Sequence, residues 1–301
     1  KPRVVKEFNR LSERIHNRLS TAGLAEQEAW MRAQGPLCSD LINFIRSHRD
    51  DYDAFIFFTY LYATTYYSLP LVQDRAFLVP AGHDEWPIYL SMWDQFFTTP
   101  KGFMFLTPEE QAFLQSRFPE AELKGPVSGI GVTPPRSCSA ERFMKAYNIN
   151  RPFLLYMGRV DPSKGCEELF QCFMELRRMH KTSMKLVLLG KPAMAIPEHP
   201  DIISLGYVDE QTKFDALTAC DWLINPSPYE SLSIVLLEAW SLGTPVLVTE
   251  NAAVLVGQCK RANGGLWYRD CREFMEIVLN TGEDIRRVLG RQGKRYVVER
   301  Y

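Results

Sequence analysis

Residues 222 to 250, WLINPSPYESLSIVLLEAWSLGTPVLVTE, constrain this chain more than any other stretch. A short apolar run, Trp222 to Asn225, is broken by Pro226 and Pro228; Leu232, Val235, Leu236, Ala239 and Leu242 then follow at 3.6-residue spacing. That is a strand, a turn and a helix. Gly243 stops the helix, Pro245 forbids its continuation, and Val246 to Val248 reads as the next buried parallel strand. A βαβ unit of this kind implies a parallel sheet covered by helices, the α/β class.

The predicted helix opens at Glu230-Ser231-Leu232-Ser233. First-turn N–H groups have no partner within a helix and sit at the positive end of its dipole, so this opening can hold an anion such as a diphosphate. The hydroxyls of Ser231 and Ser233 are further donors there. Glu230 and Glu238, with seven residues between them, can grip different hydroxyls of one elongated ligand. Two glutamates also suggest a glycosidase pair. Eight residues of helix rise roughly 12 Å, more than the about 5 to 9.5 Å that glycosidase carboxyls need, which argues against hydrolysis. On this stretch alone the alternative stands that Glu238 is a solvated helix residue and that Glu230 merely caps the helix against its dipole.

With 301 residues the chain can bury a large core and is expected to form two domains. Its charge is balanced at -1, with 24% charged residues, which points away from a nucleic-acid partner. The seven cysteines are odd in number and form no C-x-x-C pair, so reduced thiols in the cytoplasm are expected rather than a disulfide framework. No zinc ligand set is visible. The most apolar region, residues 54 to 72, is interrupted by threonines, Ser68 and Pro70, which argues against a membrane-spanning helix. The first fifty residues are charged and lack the apolar core of a signal peptide.

Taken in order, residues 1 to about 50 read as two or three helices. Strands follow at Asp53 to Phe58, Arg75 to Pro80, Gly102 to Leu106 and Val127 to Val132, with helical text at Thr59 to Tyr67, Ile88 to Phe97 and Pro108 to Phe118 between them. Asp51-Tyr52-Asp53 spells D-x-D but precedes its strand, so it reads as a solvated turn. Gly129-Ile130-Gly131 is followed by Pro134 and Pro135 and reads as a linker. His83-Asp84 lies just past the carboxyl end of a strand, where open α/β sheets bind ligands, although a surface loop is the plainer reading. A second alternation runs through strand Phe153 to Met157, helix Glu167 to Met179, strands Lys185 to Leu189 and Ile202 to Leu205, helix Glu210 to Ala219, then the opening stretch, strand Gly265 to Tyr268 and helices from Arg272. Its first turn, GRVDPSKG, carries Arg159 and Lys164 toward the cleft of the 230 helix, a fork donor and a point charge suited to a diphosphate. Together these parts predict an electropositive notch.

Gly158-Arg159-x4-Lys164-Gly165, Glu230-x7-Glu238, SLGTPV at 241 to 246 and Asn263-Gly264-Gly265-Leu266 together resemble the retaining GT-B glycosyltransferases of glycosyltransferase family 4. The order and spacing fit from roughly 150 to 295; VPAGHDEW at 79 to 86 and FLTPEE at 105 to 110 resemble the family's acceptor domain more weakly. The resemblance implies two Rossmann-like doubly wound domains facing a cleft: an acceptor-side domain over 1–135, incomplete, and a nucleotide-sugar domain over 136–301. It implies that Gly158, Arg159 and Lys164 hold the donor's diphosphate, that Glu238 binds the ribose hydroxyls, and that Glu230 with the amides of Ser231, Leu232 and Ser233 meets the donor sugar and distal phosphate. His83 is then expected near the sugar's 6-hydroxyl, and Tyr207 and Val208 at the base. The family's E-G-F-G is Glu230-Ser231-Leu232-Ser233 here. The family's opening strand and glycine-rich loop have no counterpart, and Tyr301 falls about where the family's last helix crosses back, so the stretch is expected to belong to a longer protein.

The implied reaction is metal-independent transfer, with retention, of a sugar from a nucleoside-diphosphate donor, UDP favoured over GDP and UDP-glucose foremost. The expected acceptor is a saccharide or a lipid-linked molecule in polysaccharide or glycolipid synthesis, in the cytoplasm or at the inner membrane face, with peripheral membrane contact allowed. No cofactor beyond the donor is required. The acceptor attacking from the leaving-group face needs no second carboxylate, while Arg159, Lys164 and the helix start stabilise the departing diphosphate. A sugar-nucleotide 2-epimerase of the same fold and a non-catalytic nucleotide-sugar-binding protein are the alternatives; turnover with an acceptor separates them.

Overall fold

The computed structural model describes residues 3–301. Its contacts divide the chain between Gly129 and Ile130 into two units. The division falls in the Gly129-Ile130-Gly131 segment that reads as a linker.

The amino-terminal unit opens with α1 (Val5–His16), α2 (Leu24–Gln34) and α3 (Ser39–Ser47). It continues with β1 (Phe55–Phe58), α4 (Ala63–Ser68), β2 (Ala76–Val79), α5 (Met92–Phe96), β3 (Gly102–Phe103) and α6 (Pro108–Arg117). The three strands form a parallel sheet in the order β1-β2-β3. Aromatic rings fill its core: Tyr60 and Trp93 meet edge to face at 4.8 Å, and Phe97 stacks on Phe118 at 4.1 Å. The strand expected at Val127 to Val132 shrinks to a single bridge between Phe105 and Val127, because Pro126, Pro134 and Pro135 supply no N–H for a ladder. The predicted helix at Ile88 to Phe97 is cut to α5, with a 3₁₀ turn at Trp86–Tyr89 before it.

The carboxyl-terminal unit comprises α7 (Ala140–Tyr147), β4 (Phe153–Met157), α8 (Cys166–Met179), β5 (Lys185–Leu189), β6 (Ile202–Gly206) and α9 (Glu210–Ala219). After these come β7 (Trp222–Asn225), α10 (Ile234–Leu242), β8 (Val246–Thr249), α11 (Ala253–Ala262), β9 (Gly265–Tyr268), α12 (Cys271–Asn280) and α13 (Glu283–Arg300). All six strands are parallel, in the order β6-β5-β4-β7-β8-β9. Counted within the unit this is the doubly wound order 3-2-1-4-5-6, and it reverses direction between β4 and β7. The inner strands are buried along their whole length, which is why FLLYM, WLIN and VLVT are unbroken apolar runs.

Two expectations are corrected here. The helix of the opening stretch begins at Ile234, with Ser233 as its N-cap, so Glu230 lies in the preceding loop. Rise along a helix therefore does not set the separation of Glu230 from Glu238. The cysteines are not all free: Cys172 on α8 and Cys271 at the start of α12 form a disulfide across a separation of 99 residues. The two helices pack side by side, a juxtaposition that cysteine spacing cannot reveal. Among the described residues no helix is long and apolar enough to cross a membrane.

Candidate functional site

In open α/β sheets ligands bind beyond the carboxyl ends of the strands where the strand order reverses. Here that point is flanked by the loop after β4, residues 158–165, and the loop after β7, residues 226–233. Gly158 has φ +148°, a conformation that side chains avoid, and its N–H donates to the Leu189 carbonyl at 2.9 Å. The Tyr156 hydroxyl donates to the Arg159 carbonyl at 2.7 Å and fixes the next step of the chain. Asp161 caps the turn at Pro162–Lys164, accepting from the Ser163 N–H at 2.9 Å and from its hydroxyl at 2.7 Å. Those bonds to Ser163, with Arg159 and Lys164 nearby, hold the Asp161 carboxyl below the usual carboxylate range.

Gly165 brings the two loops together. Its φ is +72°, and a Cβ there would stand 2.1 Å from the Pro226 carbonyl oxygen. The approach carries Lys164 Nζ to 3.1 Å from Glu230 Oε1 and 3.5 Å from Ser227 Oγ. Arg159, with an exposed side chain, has its Nε 3.1 Å from Asp161 Oδ2. Arg159, Lys164 and Glu230, expected from sequence to share a site, are thus brought together. The charge differs from the expected electropositive notch: two cations, Arg159 and Lys164, face two carboxylates, Asp161 and Glu230.

The loop after β7 is held from beneath. Asn225 Oδ1 accepts from the Ser227 N–H at 3.0 Å, and its amide donates to Ser233 Oγ at 2.9 Å. The Ser233 N–H donates to Gln258 Oε1 on α11 at 3.1 Å. The Ser233 N–H is therefore committed to the scaffold, a correction to its expected part as a backbone donor, while its hydroxyl accepts from Asn225. Leu232 is buried, which leaves its backbone as the part able to meet a ligand. Neither Gln258 nor the helix that carries it was legible, since α11 starts at Ala252-Ala253 without a capping side chain and contains Gly257.

Glu238 sits in the second turn of α10, 9% exposed, and pairs through Oε1 with Lys213 Nζ of α9 at 2.7 Å. It is not a solvated helix residue. Burial raises its carboxyl above the ordinary range while Lys213 pulls it back. Lys213, despite its own burial, is raised by hydrogen bonds to Glu210 and Glu238. Sequence reasoning missed Lys213, whose i,i+3 spacing from Glu210 marks only a helix face. Tyr207, 88% exposed, and the half-buried Val208 follow β6, and Asp209 caps α9 by accepting from the Thr212 N–H at 2.9 Å. A separate cavity of about 200 Å³ lies at the opposite, amino ends of the strands. Its Arg151 and Arg286 are bonded to backbone carbonyls and Asp221.

His83 belongs to the amino-terminal unit, in the loop after β2 that turns through Ala81 at φ +51°, with its Nε2 3.2 Å from Glu85 Oε2. That loop is tied to α6 by Glu110, which is 1% exposed and accepts from the Gly82 N–H at 2.7 Å and the Leu106 N–H at 2.6 Å. Burial pushes the Glu110 carboxyl up to about 7, against the pull of those N–H groups and of His83. Glu110→Ala strands two buried donors at about 1–3 kcal/mol each, and thermal melts should show a loss of several degrees. A carboxyl raised on folding favours the folded state at low pH and loses that contribution as pH rises through about 7. Glu110→Gln should accordingly flatten the stability profile between about pH 4.5 and 7.

Residues 151–284, all within the carboxyl-terminal unit, match the family described as glycosyl transferases group 1. An uncharacterized glycosyltransferase of Methanocaldococcus jannaschii is 29% identical over 123 residues, 38% of this chain and 31% of that protein. The chain matches about a third of that relative's length. Among solved structures, sucrose-phosphate synthase from Thermosynechococcus elongatus is 18% identical over 89% of this chain and 77% of its own, with a TM-score of 0.69. Anabaena HepE, in complex with UDP, is 14% identical over 87% and 78%, with a TM-score of 0.69. An E. coli structure described as trehalose-6-phosphate bound with UDP-2-fluoro glucose is 13% identical over 87% and 74%, with a TM-score of 0.65. These likenesses show the fold, GT-B, built from Rossmann-like α/β units.

Proposed function

We propose that the protein is a glycosyltransferase that moves a sugar, with retention and without a metal ion, from a UDP-sugar to an acceptor hydroxyl, UDP-glucose being the foremost donor. The observation that carries this reading is the meeting of Lys164 with Glu230 at 3.1 Å where the strand order reverses. A diphosphate entering there takes Lys164 and Arg159 from their carboxylate partners. Charge growing on the leaving group then meets two fixed cations and the amino end of α10. Glu230, released from Lys164, accepts from the donor sugar's hydroxyls. Glu238 receives the ribose, and the backbone at Tyr207 and Val208 receives the base. The UDP and UDP-2-fluoro glucose carried by two proteins of this fold support UDP as the nucleotide.

The acceptor we favour is a saccharide or lipid-linked hydroxyl in polysaccharide or glycolipid synthesis, used in the cytoplasm or at the inner membrane face. Incubation of the protein with UDP-glucose and an acceptor extract, in EDTA, should give acceptor-dependent UDP release and an α-linked product by NMR. Thermal shifts should rank UDP above GDP and ADP. Donor isomerisation or hydrolysis without acceptor would replace the transferase by an epimerase. Donor binding without turnover would make the protein a nucleotide-sugar binder.

A further inference from the structure

The helix α10 reads IVLLEAWSL, and Glu238 is its one charged residue. A buried ion pair is seldom more stabilising than apolar side chains of the same volume. Stability therefore does not explain why an otherwise uncharged helix buries a carboxylate against the Lys213 ammonium.

We propose that Lys213 is a positioning residue, holding the Glu238 carboxylate charged and in place for the ribose hydroxyls of the donor nucleotide. The inference rests on the reading of Glu238 as the ribose site and adds a residue to it. An ionised carboxylate offers about four acceptor positions. Lys213 takes one, on Oε1 at 2.7 Å, and the others remain for a diol. A protonated carboxyl would offer fewer acceptors and a competing donor. The charged groups that act on the Glu238 carboxyl are Lys213 and Glu210, both on α9. Among the described residues, α13, β7 and β8, which also pack on α10, bring none to it. Glu210 is exposed and has the same sign as Glu238, so Lys213 alone supplies the attraction. Lys213 is itself placed by the anchoring of α9 on α7, where buried Asp215 accepts from Arg142 at 2.5 and 2.7 Å and from the Ser139 N–H at 2.8 Å.

The test is UDP-glucose affinity between pH 5.5 and 8.5, a probe whose esterified diphosphate does not titrate in that window. Wild type should bind evenly across neutral pH and weaken only toward the acid end. In Lys213→Met the carboxyl loses its counter-charge, so the acid limb should move up by about 1–3 pH units, and affinity at pH 7 should fall about tenfold or more and recover with alkali. Lys213→Arg should restore the wild-type profile. If Lys213→Met does not fold, Lys213→Gln, which keeps a donor without charge, should show the same displaced limb. A wild-type profile in the neutral variants while Glu238→Gln weakens binding would overturn the role of Lys213 and leave the ribose site standing. Indifference of Glu238→Gln would remove the ribose site and this proposal together.

Discussion

Lys164→Ala is expected to lower kcat by about 10²–10³-fold, the usual cost of removing one preorganised group aimed at developing charge, while the melting temperature without nucleotide stays nearly unchanged. The two expectations separate because of where Lys164 sits. Its ion pair with Glu230 is partly exposed, and pairs of that kind contribute little to stability. A departing diphosphate, by contrast, would gain more from the ammonium as charge accumulates on its bridging oxygen. Stabilisation of the variant by UDP should fall alongside kcat. Lys164→Arg should recover part of the rate, since charge returns but a planar fork cannot reproduce the position of a compact ammonium on this turn. Full activity in Lys164→Ala would detach the β4 loop from the chemistry.

The carboxyl-terminal sheet was largely legible because fully buried parallel strands leave a simple trace. FLLYM, KLVLL, WLIN and VLVT are short, largely apolar runs flanked on at least one side by glycine, proline or aspartate, and each forms a strand. The start of α10 was misplaced by a coincidence of spacing. Leu232 falls in phase with Leu236 and Ala239, yet it is buried as part of a loop held by Asn225 and Gln258. Periodicity reports burial, and burial does not distinguish a helix from a loop packed against one. Lys213, Gln258 and the Cys172–Cys271 bridge lay beyond the reach of the sequence for a different reason. Each acts on a partner 25 or more residues away, Glu238, Ser233 and Cys271 respectively. Only the packing of α9 on α10, α11 beneath the β7 loop and α8 beside α12 brings these pairs into contact.

Gly165→Ala is expected to remove nucleotide binding and to cost more stability than any αL glycine substitution without a backbone clash. Gly243 supplies the comparison. Both residues adopt a left-handed backbone, φ +72° at Gly165 and +81° at Gly243, but a Cβ at Gly243 would find its nearest neighbour at 3.8 Å, an ordinary contact. Gly243→Ala therefore measures conformational strain alone, about 1–2 kcal/mol. Gly165→Ala carries that strain and also drives a methyl group to 2.1 Å from the Pro226 carbonyl, which adds about 1–3 kcal/mol because neither contacting atom is a side chain that can swing aside. The clash can be relieved only by parting the β4 and β7 loops, and parting them withdraws Lys164 from Glu230. Urea titration should thus rank wild type, Gly243→Ala and Gly165→Ala in falling order. Thermal stabilisation by UDP should survive in Gly243→Ala and vanish in Gly165→Ala. Equal losses in the two variants, with UDP stabilisation kept in both, would mean that the backbone contact at Pro226 does not hold the site together.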